Sequence, residues 1–151
     1  MLLTTRFTFD AAHFLTQYYG KCERLHGHTY WLEVTVEGEP ASNGLLIDFI
    51  VLKRIVTTQI LDKLDHSNLN DLFSNPTTEL IAIWIWDQLY DLKKLLKNAN
   101  QDPQLKIALK NYLTGKPHFK ITSPPNINLH EIKLGETKNN FITYKGPFKN
   151  P

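Results

Sequence analysis

The stretch Cys22-Glu-Arg-Leu-His26-Gly-His28 leads into a run of alternating apolar and polar residues that continues to Gly38. The alternation predicts a β-strand that begins at about His26. Because the side chains of a strand change face at every residue, His26 and His28 point to the same face. Cys22, the single cysteine of the chain, lies four residues before His26. One short stretch therefore brings two imidazoles and a thiol to the start of a strand.

An earlier segment, residues 4–14, alternates in the same way and carries a third histidine near its end. Phe7, Phe9, Ala11 and His13 share one face, so His13 is expected inside the protein. A lone histidine on an apolar face is more often a hydrogen-bonded core residue than a metal ligand.

Three histidines in phase on two strands, beside a cysteine, favour a metal site instead. Three neutral imidazoles suit Zn²⁺ and leave a fourth coordination position open for water or substrate. An open position is typical of a catalytic zinc rather than a structural one. The pattern therefore predicts that His13, His26 and His28 bind zinc.

The composition is that of an ordinary globular protein. The length of 151 residues predicts a single domain, 1–151, and the apolar share of 42% indicates neither disorder nor a membrane protein. A net charge of +2 is too small to indicate a nucleic-acid partner. One cysteine cannot form an internal disulfide, and no signal peptide or membrane-spanning run is apparent, so a cytoplasmic location is expected.

Two helices are predicted in the middle of the chain. Asp48 is a suitable N-cap for the first helix, whose apolar stripe runs over 49–64. Thr77 is expected to cap the second helix, and Glu79 in its first turn complements the helix dipole. The pattern of the second helix continues to residue 96. Its first two turns are apolar nearly all round, which indicates cover by the sheet and by a subunit partner.

The dipeptide Asp65-His66 follows the first helix and has two interpretations. In the first, His66 interacts favourably with the dipole at a helix C-terminus. In the second, the Asp65 carboxylate orients an imidazole that transfers protons. From the dipeptide alone, the structural interpretation is favoured.

The C-terminal part predicts a β-hairpin. Residues 129–136 alternate, a turn follows at 138–140, and the chain returns over 141–146. Glu136 shares its face with His130 and with the apolar residues between them. A carboxylate at the end of an apolar face lies either at the solvent edge or in place for a ligand.

These stretches together resemble the 6-pyruvoyl-tetrahydropterin synthase family, and within it the bacterial-type 6-carboxytetrahydropterin synthases of the queuosine pathway. A single His-x-His is a weak signal, but the ordered set is specific and covers nearly the whole chain. The matching stretches are Phe9-Asp-Ala-Ala-His13, Cys22 to Tyr30, Ile47-Asp-Phe-Ile-Val-Leu-Lys53, Leu64-Asp-His66 with Leu69-Asn70, Pro76-Thr-Thr-Glu79, Trp84-Ile-Trp86, and Glu136-Thr137 followed by Tyr144-Lys-Gly146.

The resemblance implies an α+β T-fold, an antiparallel four-stranded sheet with two main helices on one face. Members of the family assemble as homo-oligomers, trimers paired into hexamers, with active sites between subunits. Three sheets then close into a barrel, which removes exposed sheet edges.

The resemblance also implies a role for each matching residue. The zinc ligands are His13, His26 and His28. Cys22 is the base that removes a proton, Asp65 and His66 form a proton relay, and Glu136 holds the pterin ring near Thr77 and Glu79. The substrate implied is the small molecule 7,8-dihydroneopterin triphosphate, with Zn²⁺ as cofactor and no nucleic-acid or membrane partner.

The product follows less directly from the resemblance. The short spacing Cys-x-x-x-His-Gly-His resembles the carboxy-forming group, whereas pyruvoyl-forming enzymes of the animal type usually have a longer gap. A third group, in folate synthesis, uses a glutamate in place of the cysteine. Cys22 and Leu25 argue against that group, and Glu23 keeps it open as an alternative.

Residues 98–126 depart from the family pattern and are interpreted as an insertion, with a short helix over 105–113 and a strand over 119–122. Two other functions remain open. A zinc hydrolase would not need Cys22, and the glutamate of an HExxH helix is absent. In a non-catalytic zinc or pterin-binding module, Cys22 would be a fourth, closing ligand.

Overall fold

A sheet with helices on one face makes up the protein, whose computed structural model describes residues 1–99, 101–107 and 126–147. The strands are β1 (Leu2–His13), β2 (His26–Glu37), β3 (Ser67–Asn68), β4 (Asn128–Gly135) and β5 (Phe141–Tyr144). The four longer strands pair antiparallel, as predicted, in the order β1-β2-β4-β5. The two-residue β3 adds a parallel pairing to the outer edge of β1, which the sequence did not predict.

β1 and β2 pair along their whole lengths, from Leu2 opposite Glu37 to His13 opposite His26. Phe9 and Tyr30 are opposite each other, are buried, and stack with 4.9 Å between their ring centroids. The predicted apolar faces of the two strands therefore form one side of the core.

A β-bulge in β4 overturns one prediction. The alternation of the hairpin places His130 on the core face, and this is wrong. Leu129 and Glu131 pair with consecutive residues of β2, so His130 is an extra residue that shifts the phase of the strand. Leu129 is buried instead, while His130 Nδ1 lies 2.8 Å from Glu37 Oε2 in a partly exposed pair.

The first predicted helix is present and consists of three consecutive segments. α1 (Phe49–Val56) passes into a π-helical segment, Thr57–Leu61, and a last turn, α2 (Asp62–Leu64), ends where the apolar stripe ends. Asp48 caps α1 as predicted, because its Oδ1 accepts a hydrogen bond from Ile50 N at 2.7 Å.

The second predicted helix is divided in two. α3 spans Thr78–Leu89 and α4 spans Leu92–Ala99. Asp91 separates them, because its Oδ1 accepts a hydrogen bond from Lys94 N at 3.1 Å and so caps a new helix. α3 packs against β4 and β5, and α4 packs against α1. The helices and the core face of the sheet enclose one continuous apolar core.

Most of the predicted insertion lies outside the described residues. Within it, 103–107 is helical, which agrees with the start of the short helix expected near 105. The strand expected at 119–122 lies outside the described residues. In the part that is described, no helix has the length and apolar character needed to cross a bilayer.

Replacing Asp48 with alanine is expected to lower the free energy of unfolding by about 1 kcal/mol, because Ile50 N loses its acceptor at the helix start. Chemical denaturation of the variant and the parent protein measures the difference. Asp71→Ala is a matched control, because Asp71 is exposed and its side chain has no hydrogen bond to a described residue. Equal stability of the two variants would contradict the capping role.

Candidate active site and metal centre

Three histidines converge at one end of the β1–β2 pair. His13 lies directly opposite His26, and His28 lies opposite Ala11, so the alternation of both strands points the three rings to the core face. The ligating nitrogens of the three rings all lie within 4.8 Å of one another. The structure therefore brings together the three residues that the sequence selected as metal ligands.

Backbone carbonyls fix which nitrogen of two of these rings is available. His13 Nδ1 lies 2.8 Å from Pro76 O, and His26 Nδ1 lies 2.7 Å from Arg24 O. Because a carbonyl oxygen only accepts hydrogen bonds, both Nδ1 atoms carry the proton and donate. Both Nε2 atoms are then unprotonated and carry a lone pair, which is the arrangement that metal-binding histidines use.

His28 shows most directly that a metal fits this site. Its Nε2 atom is buried and has no hydrogen-bond partner among the described residues. An unsatisfied buried polar atom costs about 1–3 kcal/mol, and a bound metal ion would satisfy it. Burial lowers the pKa of His28, His13 and His26 contribute in the same direction, and Glu136 opposes them. The donor set of three imidazoles suits a divalent ion such as Zn²⁺.

Glu136 lies beside the cluster, just beyond the end of β4. Its Oε1 is 3.9 Å from His13 Nε2, and its side chain is 26% exposed. The alternation of the predicted hairpin placed Glu136 on this face correctly. The bulge at His130 lies upstream of residues 132–136 and leaves their alternation unchanged. The structure thus places the candidate pterin anchor next to the candidate metal ligands.

Tyr30 is a neighbour of the cluster to which the sequence reasoning gave no role. It is fully buried, and its hydroxyl lies 3.4 Å from both ring nitrogens of His13. Burial, and then the charge of Glu136, raises the pKa of Tyr30. The alternation that selected His26 and His28 also contains Tyr30, so the same signal could have identified it.

Cys22 is half-buried in a single 3₁₀ turn, Lys21–Glu23, just before β2. Among the described residues, the group whose ligating atoms converge consists of three histidines and does not include its thiol. The neighbouring Glu23 accepts a hydrogen bond from Gly20 N at 3.1 Å, so its carboxylate stabilises the turn. The Cys22 thiol thus lies outside the histidine group, and the Glu23 carboxylate is engaged within the turn.

Asp65 and His66 form a contact with each other at the edge of β1. Asp65 Oδ1 lies 3.0 Å from His66 Nδ1 and also accepts a hydrogen bond from Asp10 N at 2.9 Å. His66 N donates to Asp10 O at 2.6 Å, and His66 has a positive φ of 56°. The backbone N–H of Asp10 is the main cause that lowers the pKa of Asp65, which burial opposes and His66 reinforces.

The hydrogen bonds of this pair do not connect it to the three histidines of the same chain. The His66 side chain is 79% exposed and borders an open cleft that also reaches Gly27 and His28. The imidazole is therefore available to a molecule, or to a second subunit, that lies against the edge of β1.

Thr77 and Glu79 lie at the start of α3. Thr77 Oγ1 accepts a hydrogen bond from Leu80 N at 3.3 Å, so Thr77 caps the helix as predicted, and Glu79 is exposed. The preceding Pro76 supplies the carbonyl that orients His13. The start of α3 is thus tied to the candidate metal centre through the backbone.

Comparison with known proteins identifies the family. The family model described as 6-pyruvoyl tetrahydropterin synthase matches residues 2–147. The chain therefore belongs to the 6-pyruvoyl tetrahydropterin synthase family, as its motifs indicated. This membership confirms that the protein is a pterin-processing enzyme of the lyase class.

Three relatives show the range of activities in the family. A Dictyostelium discoideum protein named 6-pyruvoyl tetrahydrobiopterin synthase is 32% identical over 97% of this chain and 96% of its own length. A Haemophilus influenzae 6-carboxy-5,6,7,8-tetrahydropterin synthase is 44% identical over 54% of this chain and 60% of its own. A Pyrococcus furiosus dihydroneopterin monophosphate aldolase is 45% identical over 67% of this chain and 80% of its own.

A solved structure supports the fold. The 6-pyruvoyl tetrahydropterin synthase of Caenorhabditis elegans superposes with a TM-score of 0.67 at 25% identity, over 97% of this chain and 96% of that one. The predicted α+β T-fold is thereby confirmed.

Replacing His28 with alanine is expected to abolish tight metal binding, because two imidazoles alone do not hold a metal ion firmly. The metal content of purified, dialysed protein, measured by mass spectrometry, tests this expectation. His130→Ala is the matched control, because His130 lies outside the cluster. Full metal retention in the His28 variant would show that His28 is not a ligand.

Proposed function

We propose that this enzyme converts 7,8-dihydroneopterin triphosphate to 6-carboxy-5,6,7,8-tetrahydropterin, with release of acetaldehyde and triphosphate, in queuosine biosynthesis. One observation carries the proposal. Three imidazoles with convergent nitrogens, one of them buried without a partner, lie beside the Glu136 carboxylate. A metal centre and a pterin anchor are thus adjacent in a single chain.

The metal in this proposal is Zn²⁺, held by His13, His26 and His28. When bound, it supplies a Lewis acid for the oxygen atoms of the substrate side chain. The protein orients two of its ligands through the carbonyls of Pro76 and Arg24, so the site is preorganised.

Glu136 anchors the pterin ring in this proposal. The amino-pyrimidinone edge of a pterin presents two parallel N–H donors, and a carboxylate accepts both at once. Because Glu136 Oε1 lies 3.9 Å from His13 Nε2, a ring held by Glu136 lies close to the histidine cluster. The hydroxylated side chain of the substrate then reaches the metal centre. Thr77 and Glu79 flank the ring site from the start of α3.

Proton transfer is assigned to Cys22 and to the pair of Asp65 and His66. Cys22, as a thiolate, accepts a proton from a carbon of the substrate side chain. Asp65 holds the His66 imidazole for transfer on the other side of the substrate. The pKa of Asp65 is lowered, mainly by the hydrogen bond from the backbone N–H of Asp10, so the carboxylate that orients His66 is ionised near neutral pH.

A homo-oligomer, trimeric or hexameric, with active sites between subunits is part of the proposal. Its support is the exposure of His66, which reaches outward from the edge of β1 and has no hydrogen bond to the histidine cluster of its own chain. In such an assembly, His66 of one subunit serves the site built by the Cys22 and histidines of its neighbour. A cytoplasmic location is also proposed, because a reducing compartment preserves a working thiol.

The relatives supply two alternative reactions. A pyruvoyl-forming enzyme would eliminate triphosphate with internal redox and stop before carbon–carbon cleavage. An aldolase would cleave the side chain of a dihydroneopterin phosphate without that redox step. The short Cys22–His26 spacing supports the carboxy-forming reaction, as the sequence resemblance implied.

Zinc-loaded enzyme incubated with 7,8-dihydroneopterin triphosphate is expected to yield 6-carboxytetrahydropterin and acetaldehyde. Cys22→Ala should lower the rate about a hundredfold or more, because the base is lost. Mass spectrometry of the pterin products and of trapped acetaldehyde measures both effects. A 6-pyruvoyl product without acetaldehyde, or 6-hydroxymethyl-dihydropterin with a phosphorylated aldehyde, would replace the proposed reaction by one of the alternatives.

Mixing two inactive variants tests the sharing of sites. Cys22→Ala and His66→Ala, unfolded and refolded together in equal amounts, should regain activity up to about one quarter of the wild-type value, because one site in four combines both intact residues. Each variant refolded alone is the control. No recovery in verified mixed oligomers would mean that Cys22 and His66 of the same chain act together.

A further inference from the structure

Trp31 lies on the face of β2 opposite to that of His28 and Tyr30, and it covers Gly135. The two residues are direct partners in the β2–β4 register. A Cβ atom on Gly135 would lie 2.3 Å from the indole Cε2 and Nε1 atoms, so only glycine permits this contact. Phe141 packs beside the indole at 5.3 Å between ring centroids, and the Arg6 guanidinium lies over it at 5.5 Å.

The indole N–H reaches the segment that follows β4. Trp31 Nε1 donates a hydrogen bond to Thr137 O at 2.8 Å. The hydroxyl oxygen of Thr137 accepts further hydrogen bonds from the backbone N–H groups of Asn139 and Asn140, at 3.3 Å and 3.1 Å. Thr137 is thus fixed on both sides, by Trp31 and by the turn of the hairpin.

Glu136 lies between Gly135, which the indole of Trp31 covers, and Thr137, whose carbonyl oxygen accepts the indole hydrogen bond. In the described part of the chain, no hydrogen bond fixes the Glu136 carboxylate itself, whose Oε1 lies 3.9 Å from His13 Nε2. The direction of the carboxylate therefore depends on the backbone at 135 and 137. Bidentate recognition demands a defined carboxylate plane, and displacement by about 1 Å can cost a large factor in binding or rate.

We propose that Trp31 is a positioning residue for pterin binding. It fixes the backbone of residues 135–137, called the 135–137 corner here, so that the Glu136 carboxylate faces the site where the pterin ring binds. The inference rests on the proposed role of Glu136 as the pterin anchor. A phenylalanine could cover Gly135 equally well, but only an indole also donates a hydrogen bond to Thr137 O. Trp31 is therefore a determinant of affinity that does not touch the substrate.

The test is a double-mutant cycle on the zinc-loaded enzyme with 7,8-dihydroneopterin as the probe, which lacks phosphates and reports on the ring site. Trp31→Phe should weaken binding of the probe about tenfold. With 7,8-dihydroneopterin triphosphate as substrate, it should raise KM while kcat stays within about twofold. Glu136→Gln should weaken binding at least as much. The double variant should bind like Glu136→Gln alone, because Trp31 acts through Glu136. Isothermal titration calorimetry measures the four affinities.

Two further variants separate the hydrogen bond from general packing. Arg6→Gln removes the guanidinium above the indole, leaves the bond to Thr137 O intact, and should bind the probe like wild type. Gly135→Ala retains the indole but pushes it away from the corner, and should reproduce the loss seen in Trp31→Phe. If Trp31→Phe does not fold, Gly135→Ala takes its place in the cycle, with thermal unfolding as the check on both.

The outcomes are distinct. Wild-type affinity in Trp31→Phe, or a loss of equal size with and without the Glu136 carboxylate, would overturn the inference. Wild-type affinity in Glu136→Gln would show that Glu136 is not the anchor, and would remove that part of the proposed function together with the inference. Loss in Trp31→Phe that disappears in the Glu136→Gln background supports both.

Discussion

The register between β1 and β2 is the constraint on which the site depends. His13 faces His26 across the pair, and His28 follows two residues later, so one antiparallel register sets all three rings side by side. A slip of one residue would turn a strand over and move its histidines to the other face of the sheet. The stacked pair of Phe9 and Tyr30, buried in the same register, makes such a slip costly. Core packing and metal geometry are thus enforced by the same pairing.

The candidate site lies where the apolar face of the sheet ends. There the core-facing positions become histidines, and each polar atom requires a partner that the strands alone do not provide. Pro76 O and Arg24 O satisfy two of the rings from outside the sheet, and the unpaired Nε2 of His28 is left for a ligand. Trp31 acts from the opposite face, where it fixes the backbone beside Glu136. Helix, sheet and hairpin therefore contribute to one preorganised centre.

Much of this arrangement follows from sequence alone because three neighbouring strands, β1, β2 and β4, share a period of two. That period places His13, His26, His28 and Glu136 correctly. Contacts between residues far apart in the chain were not predictable, such as Pro76 with His13 or Asp10 with Asp65. The extra residues in the π-helical segment and in the bulge at His130 were also not predictable from the sequence pattern. The helix break at Asp91 was different, because an aspartate before a helical run is an N-cap signal that could have been recognised.

X-ray absorption at the zinc K edge, recorded on zinc-loaded enzyme without substrate, tests the central claim most directly. Three imidazole nitrogens and one oxygen ligand, with no sulfur, are expected, because His13, His26 and His28 converge while the thiol of Cys22 is not part of their group. A Zn–S distance of about 2.3 Å would contradict the account. Cys22 would then close the coordination sphere, the base would be lost, and the site would be structural rather than catalytic.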